Sequence, residues 1–342
     1  MKTSGRLIQH DGDVRFGIFP TAVSEVNYRD FDLRSPMDRR RGPLARHFGF
    51  NQFQFLGGLS ESLVFGCAII DIKLVGQAFL YFYEPNTRRF AEFSFRAPLA
   101  LGTRFDQRPE DGSATFRQGE NRFAMTATSD PMERQLWVKL ANGVEVEAVF
   151  HESTPQVEPM WISTRAGASG FVYARKTAGA PVTGSIRWEG RSFDLAELGV
   201  LGHNDWSAGY MRRETFWNWG CMAGRLADGR IVGMNVSCGV NETSFTESCF
   251  WIDGRLHRLG TVAFEYDRRD LMKSWRLTDS SGRLDLEFHP EGSHAEKVNA
   301  LVLASNFQQM FGRYNGTLRT EDGEEVVIQG TLGFAEKHYA KW

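Results

Sequence analysis

The chain has 342 residues, 42% hydrophobic and 24% charged, so it is long enough for two domains and apolar enough for a sizeable core. Its net charge of −2 argues against a dedicated nucleic-acid binder, because such proteins carry a strongly basic face or domain. No apolar run approaches ~18 residues, and charges are scattered through residues 1–19. We therefore expect no integral membrane segment, no signal peptide and a cytoplasmic location.

Metal and cofactor motifs are missing from the sequence. Cys67, Cys221, Cys238 and Cys249 form no CxxC pair and do not have the spacing of a zinc site. The sequence also lacks a GxSxG elbow, a P-loop and a strand-placed GxGxxG. We expect no metal and no cofactor.

Strand patterns recur along the chain. Apolar and aromatic runs occupy residues 62–75 and 77–83, and Arg89–Arg96 alternates apolar with charged residues. Five similar segments follow between residues 123 and 188. Asn142-Gly143 predicts a hairpin with a type I′ turn, in which both residues have positive φ, and Asp228-Gly229 and Asp253-Gly254 resemble it.

Helix patterns are scarce. Residues 266–275 fit one short helical turn at most. The basic run Arg39–Arg46 is broken by Gly42-Pro43, which favours a solvated loop. Its functional interpretation is a contact with phosphate or with a membrane surface.

An internal repeat relates residues 184–206 to residues 316–342. Both segments predict a strand, a glycine-containing hairpin and a second strand, and both end in an acid/His/Trp cluster. We predict an all-β chain of two antiparallel β-barrel-like halves, 1–206 and 207–342, related by duplication. The alternative is chance similarity between short hairpins.

Residues 202–220 carry the densest mixture of aromatic and ionisable side chains. In a strand, His203 and Asp205 face the same side, and an aromatic pocket would raise the pKa of the Asp205 carboxyl. Such an acid could protonate an alkene beside tryptophan faces. The alternative is a structural aspartate bonded to the backbone or to Arg212.

The C-terminus repeats this arrangement with Glu336 and His338, as a proton-transfer pair or as a buried pair whose members satisfy each other. Other polar and aromatic residues near these acids are candidates for ligand binding: Trp206, Glu214, Trp217, Asn218, Trp219 and Asn235. The alternative is core packing or loop contacts and, for Glu214, an ion pair with an adjacent arginine.

The WNWG segment at 217–220 and the E-x-H-x3-W ending at 336–342 resemble the bacterial family called domain of unknown function 2804. That family is distantly similar to the lipocalin-like carotenoid 1,2-hydratases. The resemblance implies a double calycin-type β-barrel, and transferring hydratase chemistry from it is an analogy at the level of the fold.

Three functions remain open at this stage. The first is a cofactor-free acid–base enzyme of hydratase or cyclase type, acting on a lipid- or isoprenoid-like molecule. The second is a non-catalytic carrier or sensor of such a molecule, and the third is a structural or partner-binding protein. A peripheral membrane contact stays open, and the sequence does not determine the oligomeric state.

Overall fold

The first of two antiparallel sheets contains fourteen strands in the computed structural model, which describes residues 4–153, 156–240, 243–300 and 303–342. In chain order they are β1 (Gly17–Phe19), β2 (Asn51–Leu59), β3 (Val64–Asp71), β4 (Val75–Glu84), β5 (Arg89–Pro98), β6 (Thr103–Phe105), β7 (Ser113–Gln118), β8 (Asn121–Ser129), β9 (Met132–Lys139), β10 (Glu145–His151), β11 (Met160–Ala166), β12 (Gly170–Trp188), β13 (Arg191–Asp194) and β14 (Leu201–Gly209).

The second sheet contains nine strands. They are β15 (Glu214–Arg225), β16 (Ile231–Cys238), β17 (Cys249–Ile252), β18 (Arg255–Arg258), β19 (Val262–Glu265), β20 (Trp275–Asp279), β21 (Leu284–Ala300), β22 (Leu303–Arg319) and β23 (Glu325–Lys341). Each sheet curls into a half-barrel, so the predicted all-β class with two barrel-like halves is confirmed.

The two sheets share a strand order. In the first, β2 to β5 form a meander and β2 also pairs with β14; in the second, β15 to β18 form a meander and β15 also pairs with β23. The strands β14 and β23 therefore occupy equivalent positions. These are the strands that carry the two predicted acid/His clusters, as the repeat requires.

Apolar side chains of the described residues form four clusters. Three are layers within and between the sheets, and the fourth packs residues 7–33 against β11, β12 and β14. Alternate residues of a strand point to opposite faces, so Leu56 packs inside the first half-barrel whereas Phe55 packs between the two sheets. Phe311 and Phe334 of the second sheet join this middle layer, and a third layer fills the second half-barrel. The middle layer fixes how the faces of the two sheets meet.

The chain passes from the first sheet to the second between Gly209, which ends β14, and Glu214, which begins β15. The predicted division at 206/207 falls within β14. The independence of the two halves as domains stays a prediction.

The three predicted hairpins form, but with different turns. Asp253 and Gly254 both have positive φ, at 45° and 77°, as a type I′ turn requires. At Asn142-Gly143 and Asp228-Gly229 only the glycine has positive φ. The type I′ prediction for Asn142-Gly143 was wrong, because its loop has one further residue: Gly143 N donates to Leu140 O.

Two segments differ from their predicted structure. Part of the basic run forms a short helix, α1 (Pro43–Gly49), with proline in its first turn. The last predicted strand continues through the expected tail, because β23 pairs with β15 and β22 as far as Lys341.

Candidate functional site between the two sheets

The strands β15 and β23 bring the C-terminal acid and the tryptophans to one face. Glu336 lies opposite Trp219 in the register, and His338 lies opposite Trp217. On the other side of β23, the same two residues lie opposite Gln309 and Phe307 of β22. All six side chains therefore share the face that packs against the first sheet.

Glu336 is the buried centre of a polar cluster on this face. Trp217 Nε1 donates to its Oε1 at 2.9 Å, and His338 Nδ1 is 3.4 Å from the same oxygen. Gln309 Nε2 donates to Oε2 at 3.5 Å, and Ser305 Oγ is 2.9 Å from His338 Nε2. The carboxyl group, the imidazole and a hydroxyl thus lie side by side.

Tyr81 brings a hydroxyl from the first sheet to this cluster. Burial raises the pKa of Tyr81 well above its usual value, and the nearby charge of Glu336 raises it further. The Tyr81 ring packs edge-on against Phe311, at 5.6 Å. Tyr81 therefore stays a neutral O–H at ordinary pH.

The facing surfaces of the two sheets are fully packed near the middle of the strands and partly exposed toward one end of them. The packed part includes Phe55 and Trp219, at 5.8 Å, and Trp219 and Phe334, at 4.8 Å. Toward the ends of the sheets where β2 and β15 begin, apolar side chains and one histidine are only half-buried. We call this region the intersheet cleft: Phe53, Ile70, Phe79, Trp217, Phe307 and His338.

Asp205 lies deeper in the same interface and is paired. Its Oδ2 is 2.5 Å from Lys176 Nζ, its Oδ1 accepts from Ser207 Oγ at 3.0 Å, and Lys176 also contacts Glu247 at 3.1 Å. Burial raises the pKa of Asp205, and Glu247 adds to this, although Lys176 opposes both. Burial would lower the pKa of Lys176, but the two carboxylates outweigh it and raise that pKa. The buried ammonium group of Lys176 thus pairs with the carboxyl groups of both Asp205 and Glu247.

His203 is enclosed by aromatic rings. Its imidazole centroid is 5.4 Å from those of Phe55 and Phe334, and neither ring nitrogen has a hydrogen-bond partner within the described part of the chain. Burial lowers the pKa of His203 to about 3, so the ring is neutral at ordinary pH. The predicted same-face placement with Asp205 holds, but no hydrogen bond joins the two side chains across residues 4–153, 156–240, 243–300 and 303–342.

The remaining candidates divide between this interface and other places. Asn235 accepts from Trp219 Nε1 at 2.8 Å and therefore borders the interface. Trp206 packs against the N-terminal segment on the face of β14 away from the second sheet, 6.0 Å from Tyr173. Asn218 points into the second half-barrel, where it donates to Tyr266 Oη.

Glu214 is exposed and pairs with Lys341 at 3.2 Å, outside the interface. The structure thus brings together His203, Asp205, Trp217, Trp219, Asn235, Glu336 and His338, and it separates Trp206, Glu214 and Asn218 from them. The two acid/His clusters border one continuous interface, with Trp219 and Phe334 between them.

Lys176 and its neighbour Arg175 were not among the predicted site residues. Two adjacent basic residues in the otherwise apolar run 171–180 were the available signal, because buried charges need partners. Because adjacent residues of a strand point to opposite faces, Lys176 reaches Asp205 whereas Arg175 points into the first half-barrel. There, Arg175 contacts Glu152 at 2.6 Å. Burial would raise the pKa of Glu152, but Arg175 and Arg134 lower it to about 2. Glu110 pairs with both Arg134 and Arg175, so the two arginines and two glutamates of this second network balance in charge.

Two cavities lie away from the intersheet cleft. One of about 10 Å³, enough for about one water molecule, is lined by Thr164, Ser237 and Glu247 together with apolar side chains. The other is a surface groove along Phe245 and Arg258. Neither reaches Glu336.

No cluster of three or more His, Cys, Asp or Glu side chains suited to a metal ion occurs among the described residues. Within the same residues, no helix is both long and apolar enough to cross a membrane.

Solved structures with the same fold have very different sequences. A structure of CghA matches 84% of this chain and 87% of its own, with a TM-score of 0.55 at 11% identity. A structure of CghA with Sch210972 gives 0.54 at 10% identity, over 85% of this chain and 88% of its own. Kievitone hydratase from Nectria haematococca gives 0.48 at 8% identity, over 85% and 89%. At these identities the CghA structures show a shared fold and nothing more.

The family comparison covers the chain from end to end. The search of curated proteins found no match. The model of one family matches residues 1–342, as the WNWG segment and the C-terminal motif predicted. The chain belongs to the family described as domain of unknown function (DUF2804).

Proposed function

We propose that this protein binds an apolar small molecule in the intersheet cleft and transfers a proton to it from the Glu336–His338 pair. The observation that carries the proposal is the position of Glu336. It is a buried carboxyl group at the base of half-buried aromatic walls, in contact with an imidazole. The reaction class is that of a cofactor-free hydratase or cyclase.

The residues around Glu336 suit the charge changes of such a reaction. A proton held by the Glu336–His338 pair passes to one carbon of a double bond and leaves a carbocation on the other. Trp217 and Phe307 present ring faces that stabilise a cation. Water then adds to the cation, or a second double bond closes on it, and the proton that is released returns to the pair.

Glu336 and His338 suit this role better than Asp205 and His203 do. Asp205 is held by Lys176 and Ser207, and His203 has neither a hydrogen bond to Asp205 nor an exposed edge. His338 retains 17% of its side-chain exposure and lies next to the cleft. We assign His203 and Asp205 to the packed interface behind the site.

The fold accommodates a small molecule in at least one relative. CghA has been crystallised with Sch210972. This supports ligand binding, while the chemistry rests on the residues of the present chain.

A non-catalytic carrier is the second candidate. It is favoured by the hydrogen bonds that Glu336 already accepts from Trp217 and Gln309, because a carboxylate with satisfied oxygens can serve structure alone. A carrier would return its ligand unchanged.

Mass spectrometry of apolar molecules that co-purify with the protein separates the candidates. The identified molecule, or geranylgeraniol as an isoprenoid probe, is then incubated with the protein in oxygen-18 water. A hydratase incorporates the label, a cyclase gives an unlabelled isomer, and a carrier gives neither. The absence of any bound apolar molecule, with no binding of the probe, would refute the proposal.

A further inference from the structure

Exposed apolar side chains collect at the end of the molecule where β2 begins. The helix α1 buries none of its residues. Its Leu44 is 75% exposed and Phe48 38% exposed, and these two residues lie one turn apart on the same helix face. Nearby loops expose Met37, Leu99 and Leu101, at 81%, 63% and 64%. We call these five residues the apolar rim.

Positive charge accompanies the apolar rim. Residues 32–49 contain five arginines and two aspartates, a net charge of +3 in a chain whose total is −2. Arg34 and Arg40 share Asp32, each at 2.8 Å. Arg39 and Arg41 are exposed and form no ion pair with any described residue. Two guanidinium groups are thus available to anions beside exposed apolar side chains.

Two contacts place α1 and the loop after β5 at the same end of the first sheet. Lys73 Nζ lies 5.8 Å from the ring of Phe50, which follows α1. The next residue, Leu74, accepts a hydrogen bond of 2.8 Å from Leu99 N. The helix, the loop after β3 and the loop after β5 therefore form one end of the first sheet.

The half-buried side chains of the intersheet cleft lie toward this same end of the sheets. Phe53 is the third residue of β2, which starts directly after α1 and Phe50. In the register, β2 begins opposite Gly209, and only residues 210–213 separate Gly209 from the start of β15, which carries Trp217. The rim and the half-buried aromatic side chains therefore lie toward the same end of the sheets.

We propose that the apolar rim docks on an anionic membrane surface, with Arg39 and Arg41 contacting lipid phosphates and Leu44, Phe48, Leu99 and Leu101 entering the interface. Basic residues next to exposed apolar ones have this affinity, because burial of apolar area and attraction to anionic lipid add. Docking presents the cleft to the bilayer. This inference rests on the proposed function and adds a substrate class to it, namely a lipid dissolved in the membrane. The docking itself is measured without that lipid.

The test is flotation of the full chain with vesicles. We expect binding to phosphatidylcholine vesicles that contain phosphatidylglycerol, little binding to phosphatidylcholine alone, and a loss of binding as salt increases. The double variant R39Q/R41Q should bind about 30-fold more weakly, from ~1 kcal/mol per arginine. The double variant L44S/L99S should also lose binding.

Matched controls come from the opposite end of the sheets. Arg88 and Arg225 are exposed and make no ion pair among the described residues, and Val327 is 63% exposed. The variants R88Q/R225Q and V327S should bind like the original protein. Circular dichroism checks that every variant is folded.

Three results would overturn the docking proposal: no vesicle binding, equal binding to neutral and anionic vesicles, or equal losses in the rim and control variants. None of them bears on ligand binding in the cleft, which is measured with the soluble protein and its co-purified molecule. Failure of docking and failure of the proposed function are therefore distinguishable.

Discussion

Trp217 Nε1 donates a hydrogen bond of 2.9 Å to Glu336 Oε1, and so links the two sequence motifs that mark the family. The bond orients a half-buried indole and a buried carboxylate on adjacent strands. Replacing Trp217 with Phe keeps an aromatic ring but removes the donor. We expect a loss of ~1–3 kcal/mol in the free energy of unfolding, because the buried Glu336 oxygen would lose its donor. Urea denaturation measures this, and W137F, at a tryptophan that is 40% exposed, is the control.

Lys176 is expected to be essential to stability. In Lys176→Met, Asp205 and Glu247 would share a buried site without their cation, so we expect a loss of ~3–5 kcal/mol at pH 7. The pKa of Asp205 is already raised, and the variant should raise it further. Folding would then favour the protonated acid, so the loss should shrink as the pH falls.

Denaturation of Lys176→Met at pH 7 and pH 5 measures both effects. Lys139→Met, at an exposed lysine near Glu145, is the control and should change stability little. A variant as stable as the original protein at pH 7 would contradict the proposed role of Lys176.

His203 should make stability depend on pH. Its pKa is about 3 when folded, against ~6.5 unfolded, so from pH 6.5 down to 3 the unfolded chain gains a proton that the folded chain does not. Stability contributed by the neutral ring is therefore complete above pH 6.5 and is lost as the pH falls. Relative to the original protein, His203→Leu should gain about 2 kcal/mol between pH 7 and pH 5.

Denaturation curves at the two pH values test this difference, with the exposed His10→Gln as control. An equal pH dependence in His203→Leu and the original protein would show that His203 is not buried in its neutral form.

The C-terminal residues are expected to be indispensable. They complete β23, which lies between β15 and β22, so deleting residues 337–342 removes pairing on both sides. We expect a melting temperature lower by tens of degrees, or failure to fold, with loss of ligand binding. Thermal denaturation measures this, and a truncated protein that melts like the full chain would contradict the structure of β23.

The strands and their two faces could be predicted from local sequence. Period-2 alternation correctly put Trp217 and Trp219 on one face and Asn218 on the other. The repeat also predicted that β14 and β23 are equivalent, because each half contains the same succession of hairpins.

The partners of the buried charges could not be predicted. Every residue of β14 is buried, so its sequence does not show which face meets the second sheet. The pairing of Lys176 with Asp205 depends on the register of β12 with β14, and the contact with Glu247 depends on how the two sheets pack. The alternation of side chains along a strand predicts neither the register of β12 with β14 nor the packing of one sheet on the other.

The most direct test of proton transfer from Glu336 to the bound molecule compares two carboxyl groups. Glu336→Gln removes the buried acid at the cleft, whereas Glu214→Gln removes an exposed one on the opposite face of the adjacent strand. We measure conversion of the co-purified molecule in oxygen-18 water, together with its affinity and the stability of each variant. We expect Glu336→Gln still to fold and to bind the molecule but to convert it at least ~100-fold more slowly. We expect Glu214→Gln to behave like the original protein. Equal conversion by both variants would contradict proton transfer from Glu336.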